Sequence, residues 1–287
     1  MSKKYQSISK EISPLNSEHT SRIIQDFIET RVSEAKATGV VIGVSGGIDS
    51  AVVLTLAVRV LGHEKVNAFF LRNKNSSPDD IQDIQGYCDS LRVKLSNINI
   101  QDVIDQFAVS IDELEDSNTL EWMNIKPRIL QTYLYYFANK NNCLVCGGGN
   151  KSELMIGYFT KYGDGGVDLL PIGDVYKTHV FQLAEFLDLP KSFINKSPSA
   201  GLKAGQTDEA EIGMSYSKLD SILFGIELFQ SVQEIADHLK IPVQMVKRVR
   251  SMIYKSEHKR RAPLIIKLGV RTPTIDWRVP LLEPSDF

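Results

Sequence analysis

Short apolar runs alternate along the first half of the chain with longer segments in which apolar residues recur at helical spacing. The apolar runs are residues 39–44, 65–71, 93–100 and 143–146. Runs of this length, rich in β-branched or aromatic side chains, predict strands that are buried on both faces of a sheet. The intervening segments predict helices over residues 19–36, 51–61, 77–91 and 119–139. This alternation predicts an α/β fold, with a doubly wound, mostly parallel sheet flanked by helices.

The second half of the chain and its two ends differ from this core. After residue 163, loops rich in Gly, Pro and Asp alternate with predicted helices over residues 176–187, 217–224, 232–239 and 244–254. The polar N-terminal segment shows no helical or strand periodicity, and the C-terminal tail contains several prolines. We therefore expect an irregular arm over residues 1–18, one α/β domain over 19–262 and a C-terminal extension over 263–287.

The composition predicts a globular cytoplasmic protein. Hydrophobic residues make up 43% of the chain, charged residues 24%, and the net charge is -2. This balance favours neither nucleic acid nor a membrane as a partner. The N-terminus is polar, and no segment approaches the roughly 18 apolar residues of a membrane span. The three cysteines, Cys88, Cys143 and Cys146, are too few for a disulfide scaffold, which fits a reducing compartment.

The loop between the first predicted strand and helix carries the strongest chemical signal. It reads Ser-Gly-Gly-Ile-Asp-Ser over residues 45–50. The two glycines allow a tight turn in which backbone N–H groups approach a phosphate, and the positive end of the following helix faces the same anion. The two serine hydroxyls can add hydrogen bonds. Asp49 would repel a phosphate on its own and is suited to Mg²⁺, which prefers carboxylate and phosphate oxygens.

Other motifs fit the sequence less well. The loop lacks the G-x-x-x-x-G-K-[ST] pattern of a Walker A motif, and Ser152 stands where a dinucleotide fingerprint starting in the 147–149 glycines would need its third glycine. Cys143 and Cys146 form a C-x-x-C pair, but only one further cysteine exists, so we interpret them as buried strand residues. A plain turn of small residues is the alternative for residues 45–50.

A second candidate site follows the last predicted strand. Three glycines occupy residues 147–149, and the helix after them carries Glu153. Ligand sites of parallel α/β sheets lie at the carboxyl ends of the strands, so we expect Glu153 close to the first loop. There it would complete a Mg²⁺ site with Asp49. The alternative is a solvated helix residue.

The 45–50 loop resembles the SGG-x-DS loop of the N-type ATP pyrophosphatases, and later segments narrow the resemblance to ammonia-dependent NAD synthetases. Residues 150–168 resemble that family's signature NKSE…G-x-x-TK-x-GDG-x-x-D. Further segments resemble the family in the same order, at residues 124–128, 171–178, 197–213 and 258–260. The resemblance covers roughly residues 20–263 and implies the adenine nucleotide alpha hydrolase-like fold.

The resemblance implies a ligase that amidates deamido-NAD (nicotinate adenine dinucleotide) with ammonia to form NAD, AMP and pyrophosphate. The nicotinate carboxylate would first form an acyl-adenylate with ATP, and ammonia would then displace AMP. Mg²⁺ is the implied cofactor and a homodimer the implied assembly. About forty residues precede the loop, too few for a fused glutaminase domain, so we expect free or separately supplied ammonia. The alternatives are a paralogous amidotransferase acting on a different carboxylate and a non-catalytic nucleotide-binding module.

The residue roles implied by the resemblance fall into groups. The positions implied to bind ATP are Gly43, Val44, Ser45, Gly46, Gly47, Ile48, Asp49, Ser50, Gly148, Lys177 and Ser199. The positions implied to bind deamido-NAD are Arg128, Lys161, Asp168, His258 and Lys259. The positions implied to hold Mg²⁺ are Asp49 and Glu153. The positions implied to take part in catalysis are Asp49, Lys177 and Asp164. The last of these would handle ammonium or its proton.

Three positions depart from the family pattern. Gly148 stands where the family usually has threonine at an ATP contact, and Ser199 replaces a frequent threonine but keeps the hydroxyl. Pro127 replaces a small residue in a helical segment. Because proline lacks a backbone N–H, we expect it to start or bend a helix rather than lie inside one. These departures leave room for altered ATP affinity or a different acceptor carboxylate.

Overall fold

Four strands form a parallel sheet in the order β3-β2-β1-β4 within the part of the chain that the computed structural model describes. The described residues are 12–74, 76–111, 119–199, 207–273 and 275–276. The strands are β1 Gly39–Gly43, β2 Val66–Arg72, β3 Leu95–Asn99 and β4 Cys143–Cys146. The prediction of a doubly wound parallel sheet is confirmed, and all four predicted strands are present.

Most helices of the described residues match predicted ones, whereas four were not predicted. The helices are α1 Ser17–Glu34, α2 Ile48–Leu61, α3 Pro78–Ser90, α4 Gln101–Ser110, α5 Leu120–Asn141, α6 Lys151–Ile156, α7 Lys177–Phe186, α8 Lys191–Asn195, α9 Asp208–Ile212, α10 Tyr216–Glu227, α11 Val232–Leu239, α12 Val243–Lys255 and α13 Glu257–Arg260. The four helices without a predicted counterpart are α4, α8, α9 and α13. Isolated helices this short are marginal in water, so tertiary packing determines them.

The middle strand β1 shows why its apolar run is continuous. Val40 and Ile42 are buried in the cluster formed with α1, α2, α3 and α7, while Val41 is buried in the cluster formed with α4 and α5. Burial of each such side chain stabilises the fold by about 2 kcal/mol. Ile42 lies opposite Cys146 in the pairing of β1 with β4. The loops that follow these two strands therefore emerge side by side.

A second group of helices extends the molecule beyond the sheet. Helices α6, α10, α11 and α12 enclose a separate apolar cluster, in which Leu219, Ile222 and Val246 are fully buried. Ile12 of the predicted N-terminal arm packs into the same cluster. None of the helices in the described ranges is both long and apolar enough to cross a bilayer. The predicted C-terminal extension contains no helix or strand among its described residues, and residues 277–287 lie outside them.

The expectation for Pro127 was wrong, because this proline lies inside α5. The helix continues on both sides of it, and the ring is buried. A methyl group on Gly163 would lie 2.8 Å from the Cβ of Pro127, so the loop around Gly163 packs directly against the ring. A proline inside a helix costs about 3 kcal/mol through the lost hydrogen bond and the steric clash. Burial of the ring against this loop offsets part of that cost.

Candidate active site

The loop that follows β1 is held in shape by its own hydroxyl and backbone groups. Gly46 has a φ of +75°, a left-handed conformation that favours glycine. Ser45 Oγ accepts a hydrogen bond from Gly47 N at 3.2 Å. Ser50 Oγ accepts one from Ser45 N at 3.2 Å and donates one to Gly47 O at 3.0 Å. The glycines and serines of the motif therefore build the turn itself.

Helix α2 starts earlier than the sequence analysis predicted, and this places Asp49 in its first turn. The predicted turn covered residues 45–50, but the helix begins at Ile48 with Gly47 as its N-cap. The cap makes no side-chain hydrogen bond to the first N–H groups of the helix. These groups and the positive end of the helix dipole can therefore bind an anion such as a phosphate.

A buried lysine joins the two candidate metal-binding carboxylates. Lys177 is the first residue of α7 and is only 2% exposed. Its Nζ donates a hydrogen bond to Asp49 Oδ2 and lies 3.6 Å from Glu153 Oε1. The same nitrogen lies 5.3 Å from the centroid of the Tyr216 ring. The structure thus brings Asp49, Glu153 and Lys177 together from three different helices.

Burial and charge act in opposite directions on these groups. Burial raises the pKa of Glu153 to about 8, although the charge of Lys177 opposes this shift. For Lys177, burial disfavours the charged form, but the carboxylates of Asp49 and Glu153 outweigh burial and raise its pKa. The lysine is therefore an ammonium at neutral pH. When both carboxylates are ionised the trio carries excess negative charge, which favours the binding of a further cation.

Asn150 organises this centre, although it was not among the predicted site residues. Its side chain caps α6 by accepting a hydrogen bond from Glu153 N at 3.1 Å. The Glu153 carboxylate in turn accepts one from Asn150 N at 3.2 Å. The Asn150 amide also donates to Asp49 Oδ1 at 2.9 Å, and the residue is fully buried. The spacing of an asparagine three residues before a glutamate is a capping-box signal that could have identified it.

The donor groups at this centre fit a Mg²⁺ ion that is shared with a nucleotide. Across the described ranges, no cluster of three or more His, Cys, Asp or Glu side chains is arranged to hold a metal ion. Mg²⁺ in nucleotide sites commonly takes one or two protein carboxylates and completes its shell with phosphate oxygens and water. Asp49 and Glu153 supply two carboxylates of this kind. They could hold such an ion beside the phosphate loop.

A second group of predicted residues lies at the other end of α6. Arg128 Nε donates to Lys161 O at 3.3 Å, and Asp164 Oδ1 accepts a hydrogen bond from Thr160 N at 2.8 Å. Lys259 Nζ donates to the carbonyl oxygens of residues 157 and 159, each at 2.7 Å. Glu153 lies in the first turn of α6, so these residues follow the opposite end of the short helix that carries it.

The remaining predicted site residues, Asp168, His258 and Ser199, lie on three different segments of the chain. Asp168 already accepts hydrogen bonds from Tyr135 Oη at 2.9 Å and from Val145 N at 2.8 Å, so its carboxylate also anchors the end of β4. His258 lies beside Lys259 in α13. Ser199 is exposed in the segment between α8 and α9.

We predict that the change Gly148→Thr is tolerated and strengthens ATP binding. A Cβ at this position would lie 3.4 Å from Ser50 N, which is ordinary contact, and the backbone of Gly148 is not in the left-handed region. A threonine hydroxyl next to the start of α2 could donate a hydrogen bond to a phosphate, worth about 1.5 kcal/mol. We expect the KM for ATP to fall about tenfold in steady-state assays.

The neighbouring glycine provides the control for this prediction. A Cβ on Gly147 would lie 2.9 Å from Val167 Cγ2, so Gly147→Ala should lower the midpoint of thermal unfolding. The free energy of unfolding of Gly148→Thr should stay within about 1 kcal/mol of the parent value. An unchanged KM for ATP in a folded Gly148→Thr protein would show that this position does not contact the nucleotide.

Comparison with known proteins agrees with this geometry. The NAD synthase family profile matches residues 20–263. The NH(3)-dependent NAD(+) synthetase of Archaeoglobus fulgidus is 44% identical over 255 residues, which cover 88% of this chain and 98% of that protein. This chain is thus similar to that enzyme over nearly the enzyme's full length.

Two solved structures share the fold at comparable similarity. The NMN synthetase of Francisella tularensis superposes with a TM-score of 0.78 at 32% identity, covering 88% of this chain and 100% of that one. The NH3-dependent NAD synthetase of Campylobacter jejuni superposes with a TM-score of 0.74 at 30% identity, with the same coverage. The resemblance identified in the sequence is therefore confirmed, and so is the fold.

Proposed function

The chain belongs to the NAD synthase family, and on this premise we propose that it amidates deamido-NAD with ammonia at the cost of ATP, forming NAD, AMP and pyrophosphate. This is a ligase reaction that creates a carbon–nitrogen bond. The single observation that carries the proposal within the site is the convergence of Asp49, Glu153 and Lys177 beside a phosphate loop at a helix N-terminus.

In the first step, an oxygen of the nicotinate carboxylate attacks the α-phosphorus of ATP. A new phosphorus–oxygen bond forms, and the bond to the leaving pyrophosphate breaks. The N–H groups at the start of α2 would stabilise the charge that develops on the pyrophosphate, and the ammonium of Lys177 would add to this effect. Asp49 and Glu153 would hold Mg²⁺, which when bound neutralises phosphate charge.

In the second step, the nitrogen of ammonia attacks the acyl carbon, the carbon–oxygen bond to AMP breaks, and the nitrogen loses a proton. Asp164 is our proposed acceptor for this proton or for the proton of an incoming ammonium ion. One of its oxygens accepts the hydrogen bond from Thr160 N. Burial raises the pKa of Asp164, which makes its carboxylate a better proton acceptor.

The basic residues beyond the C-terminal end of α6 are our proposed contacts for the dinucleotide. Arg128, Lys161, His258 and Lys259 could neutralise the pyrophosphate of the substrate, and Asp168 could accept a hydrogen bond from a ribose hydroxyl. Two carbonyl oxygens hold the ammonium of Lys259 in place for this contact, although burial lowers its pKa. Ser199 is proposed to reach ATP from the segment before α9.

A second candidate acceptor is the mononucleotide counterpart, which carries the same nicotinate carboxylate without the adenylate half. The observation that favours it is the 0.78 TM-score with the Francisella tularensis NMN synthetase. Both acceptors present the same carboxylate to ATP, so the chemistry at Lys177 is unchanged. The dinucleotide is the preferred acceptor because curated relatives at about 40% identity are NAD synthetases.

The decisive experiment measures AMP release and amide formation by the purified protein. ATP, Mg²⁺ and ammonium are supplied with deamido-NAD, with nicotinate mononucleotide, or with no acceptor. Stoichiometric AMP and NAD with deamido-NAD support the proposal, and preferential turnover of the mononucleotide supports the second candidate. ATP cleavage without either acceptor, or no turnover, contradicts both. Glutamine in place of ammonium should give no product, and EDTA should stop the reaction.

We also propose a homodimer, which the exposed tail supports. Leu264, Leu268 and Val270 follow the last helix and are 88%, 85% and 94% exposed. Apolar side chains in such a cluster are favoured at a contact with another chain. We predict that sedimentation finds a dimer at micromolar concentration and that Leu268→Asp shifts it toward monomer. A parent protein that sediments as a monomer contradicts this prediction.

A cytoplasmic location stays a prediction from composition.

A further inference from the structure

A buried carboxylate outside the proposed reacting groups connects the helices that carry them. Asp220 lies in α10 and is 0% exposed. One of its oxygens accepts a hydrogen bond from Ser152 Oγ at 2.5 Å. The other accepts bonds from Thr178 N at 2.9 Å and from Thr178 Oγ1 at 2.8 Å. The carboxylate therefore has three donors, and all of them lie on α6 and α7.

The two partners of Asp220 are the chain neighbours of site residues. Ser152 precedes Glu153 in the first turn of α6, and Thr178 follows Lys177 at the start of α7. Ser152 Oγ also accepts a hydrogen bond from Lys177 N at 2.9 Å. Asp220 thus ties both first turns to each other. A shift of either turn would change the separation of Glu153 from Lys177.

The start of α7 depends on this contact because its own N-cap residue cannot provide one. Tyr176 is the N-cap and makes no side-chain hydrogen bond to the helix. Asp220 supplies the acceptor from α10 instead, and its negative charge complements the positive end of the helix dipole. In an isolated helix this acceptor would come from the local sequence. Here it comes from residue 220, 42 positions beyond Thr178.

A charged group at this buried position costs stability, because the carboxylate is desolvated there. Burial raises the pKa of Asp220 to about 6, so the group is ionised at neutral pH despite its desolvation. Well-packed apolar residues often stabilise a core as much as a buried charge does. The carboxylate instead fixes the relative positions of α6 and α7, because its two oxygens hold three donors at defined distances.

We propose that Asp220 is a positioning residue that holds Glu153 and Lys177 at the separation needed for binding and activating Mg²⁺-bound ATP. This inference rests on the proposed function only in its kinetic readout. Asp220 touches neither the substrate nor the reacting atoms and acts through Ser152 and Thr178. A displacement of about 1 Å in a catalytic group can cost about 100-fold in rate. Loss of the contact should therefore affect turnover more than it affects acceptor binding.

The test compares two variants with one control on the same helix. Asp220→Asn keeps the shape but replaces an acceptor oxygen with a donor, and Thr178→Val removes one of the three donors. Ser221→Ala is the matched control, because Ser221 is also buried but its hydroxyl donates within α10, to Ser217 O at 2.8 Å. The measured quantities are kcat, both KM values, the unfolding midpoint, and the Kd of Mg²⁺ with a non-hydrolysable ATP analogue by calorimetry.

We expect Asp220→Asn to lower kcat about 30-fold and to weaken binding of the ATP analogue about tenfold, while the KM for deamido-NAD changes less than about twofold. Thr178→Val should produce a smaller loss in the same direction, and Ser221→Ala should behave as the parent does. If Asp220→Asn does not fold, the Thr178→Val result decides. Parent-like kcat and Kd in the folded variants would overturn the inference, even if the unfolding midpoint falls. If the parent protein shows no turnover, the proposed function fails, while calorimetry still tests the positioning role.

Discussion

Replacing Asp49 with asparagine is expected to lower the rate of AMP and NAD formation by about 10³-fold while the protein remains folded. The change keeps the side-chain shape and one oxygen for Asn150, but it removes the charge that faces Lys177 and the proposed metal. Loss of one preorganised electrostatic group costs about 10² to 10³ in kcat, and loss of a metal ligand adds to it. The measurement is single-turnover AMP release at saturating ATP, with circular dichroism to verify folding.

A second aspartate–lysine pair next to the same loop serves as the control. Asp80 accepts a hydrogen bond from Lys196 Nζ at 2.6 Å, and the same nitrogen lies 3.4 Å from Gly46 O. This pair is partly exposed, and such pairs contribute at most about 1 kcal/mol. Asp80→Asn should therefore keep turnover within about fivefold of the parent value. Near-parent turnover in Asp49→Asn would remove Asp49 from the mechanism.

Replacing Lys177 with methionine is expected to lower turnover about 10³-fold and also to destabilise the fold. The ammonium is almost fully buried between Asp49 and Glu153, and its removal leaves two carboxylates facing each other. Removing one partner from a buried ion pair costs about 3 to 5 kcal/mol. Added Mg²⁺ should restore part of this stability, because the ion takes the place of the lost positive charge. Urea unfolding with and without Mg²⁺ measures the loss of stability and the part of it that the ion restores.

The pH dependence of this variant has a defined sign. The pKa of Glu153 is already raised by burial to about 8, and loss of the Lys177 charge raises it further. A carboxyl group whose pKa is higher in the folded state binds more protons there, so the free energy of unfolding decreases as pH rises toward that pKa. Both proteins lose stability as pH rises toward about 8, where Glu153 of the parent protein titrates. Only the variant continues to lose stability above that pH, so the difference between the two proteins should grow from about pH 8 upward. A flat difference across this range would contradict the assigned coupling.

Lys151 provides the matched control for the lysine substitution. Its Nζ lies 2.8 Å from Glu227 and 3.0 Å from Asp174, with the Tyr176 ring centroid at 4.7 Å. The local environment thus repeats the two carboxylates and the aromatic ring of the site, but here both carboxylates are exposed. Lys151→Met should cost about 1 kcal/mol and leave turnover within about fivefold of the parent value. An equal loss of turnover in both variants would argue that Lys177 acts only through stability.

The strands and the longer helices could be predicted because their signals are local. The run 39–44 is apolar at every position because both faces of β1 are buried, and Ser77 with Pro78 marks the start of α3 as a cap and a first helical residue do. The start of α2 was misplaced because glycine and serine favour a turn when only their neighbours are considered. The phosphate-loop geometry requires the helix to begin at Ile48.

The amino-acid sequence by itself determined the sheet, the phosphate loop, the family and the residue types that meet at the site. Only the tertiary structure decided which side chains share a contact. Lys177 meets Asp49 across 128 residues of chain, Asn150 meets Asp49 across 101, and Asp220 meets Ser152 across 68. Pro127 lies within a helix, where a loop that is distant in sequence packs on its ring. The physical reason is the same in each case: periodicity and capping depend on residues a few positions apart, whereas the partner of a buried polar group depends on how whole helices pack.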